Sequence, residues 1–371
     1  MSRKPEVVVV GGGIAGSAVA IELATRGNAT TLVERNQPGT GATGASAGML
    51  APQYETDEPD AAFHFGVACK EAWPAFVERI ETLASWDAGF RSDGMLVANR
   101  TAAEAEAARN SLAFQRAAGL TGEILSCDDA QRVHGAVATD VDSWLWLPDE
   151  AQVDTQRLAV ALADAVQAAG VKLVRHVEVT ALDSAGGSIT GVRLSDGRRI
   201  EAPLVVLAAG AWSGRIDGLP RALPVRPVRG QILRLLPAEP LPWTLVCNHD
   251  GRYLVPRVNG TILIGSTMED AGYDDRVTEE GRALLAEAAA ALVPALEDTR
   301  IVESWAGLRP LSADGWPVLG PDPDLDGLFY ATGHGRNGIL FAPLTGRAVA
   351  ELALTGTTDV RWEAFGVGRF G

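Results

Sequence analysis

Val7-Val-Val-Val10-Gly11-Gly-Gly13-Ile-Ala-Gly16 is the stretch on which the fold turns. Four consecutive β-branched apolar residues predict a short strand buried on both faces, as in a parallel sheet. The glycines after it match G-x-G-x-x-G. The first makes a tight turn, the second lets a pyrophosphate approach a helix N-terminus, and the third lets helix and strand pack closely. Apolar periodicity over 14–26, with Ile14, Ala18 and Ile21 on one face, predicts that helix, and Gly27 closes it. A second strand over 30–33 ends at Glu34, 23 residues beyond Gly11, where a carboxylate can accept both ribose hydroxyl hydrogens. Glu34 also repels a phosphorylated ribose. Together these features predict an adenine dinucleotide on an α/β frame, the other reading being a purely structural glycine turn.

Working outward, 371 residues allow two domains or one large α/β unit. Residues 60–86 read as helical, 94–98 as a strand, and Thr101 with Glu104 as a capping box opening an Ala-rich helix. Asp154 caps a helix that Gly170 ends, and short strands follow over 172–175, 177–182, 189–194 and 204–208. The middle, 223–264, alternates apolar and polar residues between prolines, as an antiparallel sheet does. A strand over 328–331 and an apolar-faced helix over 338–354 return to the first style. The two styles interleave, which predicts discontinuous domains: a Rossmann-like cofactor domain from 1–88, 150–217 and 303–371, and a substrate domain on an antiparallel sheet with helices from 89–149 and 218–302. The segment 39–50 has no periodicity and is too glycine-rich for a regular element.

Composition narrows the function. A formal charge of −15 argues against nucleic acid and against a polybasic membrane anchor. No apolar run is long enough to suggest a bilayer span. Cys69, Cys127 and Cys247 are odd in number and far apart, which suggests neither a disulfide framework nor a metal site and fits a cytoplasmic protein. The 41 glycines cluster. Besides 11–16, they recur in Ala42-Thr-Gly44-Ala-Ser46-Ala-Gly48-Met49, at the end of the strand before Gly210, and in Gly333-His334-Gly-Arg336-Asn-Gly338 before a helix whose positive end favours negative charge. Four such approaches suit a long, bent FAD better than NAD.

These segments carry a specific resemblance. VVVVGGGIAGSAVAIEL with Glu34, ASAGMLAPQ (45–53), Tyr253-Leu-Val-Pro-Arg257, Gly265-Ser-Thr-Met268, Trp305-Ala-Gly-Leu-Arg309-Pro310, Asp314-Gly315 and GHGRNGILFAP (333–343) resemble, end to end, the D-amino-acid-oxidase-like FAD-dependent flavoproteins. Within that superfamily the chain is most similar to the glycine oxidases of thiamine biosynthesis. The resemblance implies oxidative deamination of glycine, sarcosine or small D-amino acids by hydride transfer to flavin N5, with molecular oxygen as acceptor and hydrogen peroxide as product. It implies that Arg309 and Tyr253 hold the substrate carboxylate, with Arg336 and Met268 also at the reacting centre. It places the flavin on Gly11, Gly13, Ile14, Ala15, Gly16, Glu34, Arg35, Ala42, Thr43, Ala47, Gly48, Met49, Val179, Gly210, His334, Gly335, Arg336, Asn337, Gly338, Ile339 and Leu340. Related sarcosine oxidases attach FAD through a cysteine where Gly307 stands here, so noncovalent FAD is expected. Gly335 and Leu311 depart from the usual aromatic and glycine, which bears on pocket size. Homo-oligomers are common in the family.

Arginine suits the carboxylate role because its planar fork binds both oxygens. Arg309 lies in a Gly- and Pro-flanked tract that reads as a loop end, and its other reading is an ion pair with a nearby carboxylate. For Tyr253 the other reading is core packing, and His249 and His334 read as satisfied turn residues. Gly44-Ala-Ser46-Ala-Gly48 fits the hydrolase pattern G-x-S-x-G but lacks the strand that a nucleophile elbow needs before it. Two alternatives share the flavin: a dehydrogenase passing electrons to a quinone, and a non-catalytic flavin-binding protein.

Overall fold

The computed structural model describes residues 6–56 and 58–371. Strand Val7–Val10 is wholly buried and lies inside a six-stranded sheet, with apolar residues over both of its faces. It pairs in parallel with Thr30–Glu34 on one side and Leu204–Leu207 on the other. Lys172–Arg175 extends the first side; Leu328–Thr332 and the antiparallel Val318–Pro321 extend the second. The strand order therefore reverses between Val7–Val10 and Leu204–Leu207. In open α/β sheets ligands bind outside the carboxyl ends of the strands at such a reversal.

Helix Ile14–Thr25 leaves the glycine turn so close to the strand that a Cβ on Gly16 would lie 2.0 Å from the Gly11 carbonyl oxygen. It packs against Gly338–Thr355, which also meets Ala61–Ala84. Gly338–Thr355 corrects one expectation, since by length and composition it could span a bilayer; 67% of it is buried inside the protein, where its apolar surface serves as core. Asp154 caps Thr155–Ala168 as predicted, accepting from the N–H groups of Gln156 and Arg157. The capping box at Thr101 is half formed. Thr101 accepts from the Glu104 N–H, but the Glu104 carboxylate takes the N–H of Arg100 rather than that of Thr101.

An eight-stranded sheet carries the other half of the site. Its order is Arg300–Ser312, Val225–Leu236, Ile262–Gly265, Tyr253–Pro256, Leu245–Asn248, Met95–Asn99, Ser143–Leu147 and Glu123–Leu125. All neighbours are antiparallel except Leu245–Asn248 and Met95–Asn99, which run parallel. Two readings change. The boundary at 303 falls inside Arg300–Ser312, all of which belongs to this sheet beside Val225–Leu236. The segment 39–50 holds a helical turn, Ala42–Ala45, and a short strand, Met49–Leu50, whose partner Ala151–Gln152 lies a hundred positions away and leaves no local periodicity.

Candidate active site

A cavity of about 590 Å3 opens at the carboxyl ends of the parallel strands and is lined by residues of both large sheets. At the dinucleotide end Gly11 (φ +102°) runs against the neighbouring strand, where a Cβ would sit 2.4 Å from the Ala208 carbonyl oxygen. Only glycine takes that backbone there without strain. Glu34 accepts the Gly12 N–H at 2.7 Å and the Asn36 N–H at 2.8 Å, which fixes its carboxylate beside the glycine turn. Thr43 Oγ1 accepts the Ile14 N–H, one of the groups that a helix start leaves unpaired. The Arg35 guanidinium lies 3.4 Å from the Trp212 ring centroid.

Most residues expected at the cofactor line this cavity: Gly11, Gly13, Ile14, Ala15, Glu34, Arg35, Ala42, Thr43, Ala47, Gly48, Met49, Val179, Gly210, His334, Gly335, Arg336, Gly338 and Ile339. Three do not. Gly16 serves the helix–strand contact already described, Asn337 is the N-cap of Gly338–Thr355, and Leu340 is buried in the core with its carbonyl accepting Trp73 Nε1. His334 is buried beside Thr345 Oγ1, 3.1 Å away, and burial pulls its imidazole down to about 4, so it is neutral at physiological pH. His249 Nε2 lies 2.8 Å from Asn99 Oδ1. Both match the reading of satisfied histidines. Ser46 follows a helical turn and donates to the Thr43 carbonyl, and no nucleophile elbow forms.

The other end of the cavity is built by side chains. Arg309 stands inside strand Arg300–Ser312, opposite Val228, and not at a loop end; its flanking Gly307 and Pro310 are both paired strand residues. Its guanidinium lies on Gly230 of the adjacent strand, where a Cβ would come within 2.2 Å of Nη2. It donates to the Thr267 carbonyl and to Ser266 Oγ, and among the described residues it makes no ion pair. Burial lowers its pKa from the ordinary arginine value. Tyr253 lies over Gly265 in the same way, with its ring 2.7 Å from where a Cβ would be. Arg336 pairs with Glu55 at 3.2 Å, and the Glu55 charge holds its pKa up. Met268 does not line the cavity: it is 58% exposed, on a segment that stays tied to the sheet through Glu269, paired with Arg229.

Sequence reasoning assigned no role to Glu55, Trp212, Gly230 or Ser266, the last quoted only inside a motif. A Cβ at Gly307 would lie 2.6 Å from Ala45 Cβ, which leaves no room there for a cysteine reaching the cavity. Gly335 and Leu311 prove to be neighbours, since a Cβ at 335 would lie 3.2 Å from Leu311 Cδ1. Glycine turns at the strand reversal, a carboxylate after the second strand and a small-residue trough fit a flat, phosphate-bearing FAD.

Known proteins share this frame. A glycine oxidase of Geobacillus kaustophilus is 34% identical over 354 residues, covering 95% of this chain and 93% of that protein. The crystal structure of glycine oxidase from Geobacillus kaustophilus superposes with a TM-score of 0.94 over 99% of both chains, at 33% identity. A bifunctional protein ThiO/ThiG of Trichormus variabilis is 34% identical over 98% of this chain, which spans 55% of that longer protein. L-proline dehydrogenase from P. horikoshii superposes with a TM-score of 0.88 at 25% identity, over 100% of this chain and 98% of that one. The family described as FAD dependent oxidoreductase matches residues 6–352. With that match running through both sheets and every wall of the cavity, the chain belongs to the FAD dependent oxidoreductases, as an amine oxidoreductase that works with FAD.

Proposed function

We propose that the protein deaminates glycine, sarcosine or a small D-amino acid oxidatively, giving a 2-oxo acid, ammonia or methylamine, and hydrogen peroxide. The observation that supports this most is Arg309. A half-buried guanidinium facing the cavity with only neutral acceptors has an unmet charge, and a carboxylate is the group whose geometry answers both of its outer nitrogens. In this reading Arg309 and Tyr253 bind and orient the substrate carboxylate, which fixes where the α-carbon lies. Arg336 is committed to Glu55 and closes the far wall. Gly335, which lines the cavity with no side chain and has Leu311 behind it, bears on how large a side chain the pocket accepts. FAD, when bound, accepts the α-hydrogen as hydride and hands the electron pair to oxygen. FAD is held noncovalently, as Gly307 leaves no attachment point.

The substrate must present a neutral amine, since an ammonium cannot release hydride from its α-carbon. His334, whose basicity burial lowers to a pKa of about 4, is a poor acceptor for that proton. Turnover should therefore rise with pH until the bound amine has titrated. The deciding experiment is anaerobic flavin bleaching by glycine, sarcosine and small D- and L-amino acids, followed by peroxide measurement under air. Bleaching by glycine or sarcosine with one peroxide per turnover is expected. Bleaching without peroxide points to a quinone or another acceptor, and no bleaching by any amine defeats the reading.

A further inference from the structure

The backbone over 45–48 is held from behind, one carbonyl at a time. Trp305 Nε1 donates to the Ala45 carbonyl at 2.9 Å, Thr155 Oγ1 to that of Ser46 at 2.6 Å, Arg257 Nη2 to that of Ala47 at 2.7 Å, and the Val153 N–H to that of Gly48 at 2.9 Å. These donors come from distant parts of the chain: strand Arg300–Ser312, the start of helix Thr155–Ala168, and the residue after strand Tyr253–Pro256. The four residues they anchor line the cofactor cavity. A trans peptide unit is planar, with its C=O and the next N–H pointing in opposite directions. Fixing a carbonyl outward therefore aims the following N–H inward. The Ser46 carbonyl governs the Ala47 N–H, and the Ala47 carbonyl governs the Gly48 N–H. Neither N–H has a hydrogen-bond partner among the described residues.

Arg257 is an expensive anchor. It is 4% exposed, also donates to Gln152 Oε1 at 3.1 Å, and has Asp154 3.8 Å from Nε. Burial pulls its pKa down to about 10, with Asp154 opposing. A neutral donor could serve the Ala47 carbonyl with less desolvation, so the charge itself calls for a use.

We infer that Thr155 and Arg257 are positioning residues for the cofactor. They aim the Ala47 and Gly48 N–H groups into the cavity as a preformed donor pair, and the Arg257 charge behind that backbone favours the reduced flavin, which carries more negative charge. Trp305 steadies the same segment one residue earlier.

The test uses full-length Arg257→Met, Arg257→Lys and Thr155→Val. FAD affinity is measured by titrating apoprotein and following flavin fluorescence, the midpoint potential of bound FAD by redox titration, and apoprotein stability by thermal melting. Arg257→Met should weaken FAD binding roughly tenfold or more, as the loss of a charge-assisted hydrogen bond implies, and lower the midpoint potential. Arg257→Lys should keep more of the potential than of the affinity, because one ammonium cannot serve both Ala47 and Gln152. Thr155→Val should weaken FAD about threefold to tenfold and leave the potential close to wild type. A merely structural role lowers melting temperature and leaves both FAD readouts at wild type; that result for Arg257→Met overturns the inference. Should Arg257→Met not fold, the near-isosteric Thr155→Val decides, and unchanged FAD affinity there overturns it equally.

Discussion

The two ends of the cavity are made differently. At the dinucleotide end, backbone and glycine do the work over a contiguous run: Val7–Val10, the turn at Gly11, helix Ile14–Thr25 and Glu34 all lie within the first 34 residues. At the other end, each working side chain rests on a glycine of the adjacent strand, Arg309 on Gly230 and Tyr253 on Gly265. The first end selects by letting a ligand approach the main chain. The second selects by aiming two flexible or flat side chains over bare strand. Damage should therefore separate: changes at the first end should cost cofactor, and changes at the second should cost substrate.

Arg309→Ala tests the separation hardest. Removing a cavity-lining guanidinium that makes no ion pair among the described residues should lower kcat/KM for glycine about a thousandfold, the scale of a lost buried charge pair, while FAD content stays at wild type. Parallel loss of FAD would show the two ends to be one unit. Gly11→Ala should do the reverse. A non-glycine residue at φ +102° carries strain, and its Cβ would have to displace the Ala208 carbonyl. Together these cost about 3 kcal/mol, about 150-fold in FAD affinity by titration of apoprotein. A variant that still binds FAD like wild type would remove Gly11 from the cofactor site.

The same contrast explains what the sequence could reveal. The parallel sheet, its turn and Glu34 are legible because their residues are neighbours along the chain and obey local periodicity. Gly230 beneath Arg309 is not legible, because it depends on the register between Val225–Leu236 and Arg300–Ser312, with three other strands and a helix between them in the chain. Arg309 was misplaced at a loop end for a related reason. Gly307 and Pro310 look like strand breakers, but Gly307 makes room for Ala45, and both are accommodated in a long two-strand ribbon. Met268 sits in a motif with Gly265 and Ser266, and sequence proximity alone could not tell that Ser266 lines the cavity while Met268, two residues on, is exposed.

Gly230→Ala sharpens the comparison further. The new Cβ would meet Arg309 at 2.2 Å from Nη2 and 2.4 Å from Nη1, the far end of a movable side chain. The fold can yield there cheaply, but the guanidinium cannot stay in place. FAD content and melting temperature should remain near wild type while kcat/KM for glycine falls about a hundredfold, the scale of an ångström-sized misplacement. If catalysis is unchanged and stability drops instead, the glycine serves packing and Arg309 is not aimed by it.

His334 gives the smallest effect and lies where the two ends meet. Its folded pKa of about 4 lies below the ordinary value near 6.5, so between these values the unfolded chain binds a proton that the folded protein refuses. Stability from this source is complete above pH 6.5 and drains away as pH falls toward 4. By linkage between these two values, wild type should lose about 2 kcal/mol between pH 7.5 and 5 that His334→Gln does not lose. Urea unfolding of both apoproteins at pH 7.5 and pH 5 reads this directly, with the stability gap between them expected to narrow at the lower pH. A gap that stays constant would mean that the imidazole titrates normally, and then His334 would reopen as a group able to take the substrate's amine proton.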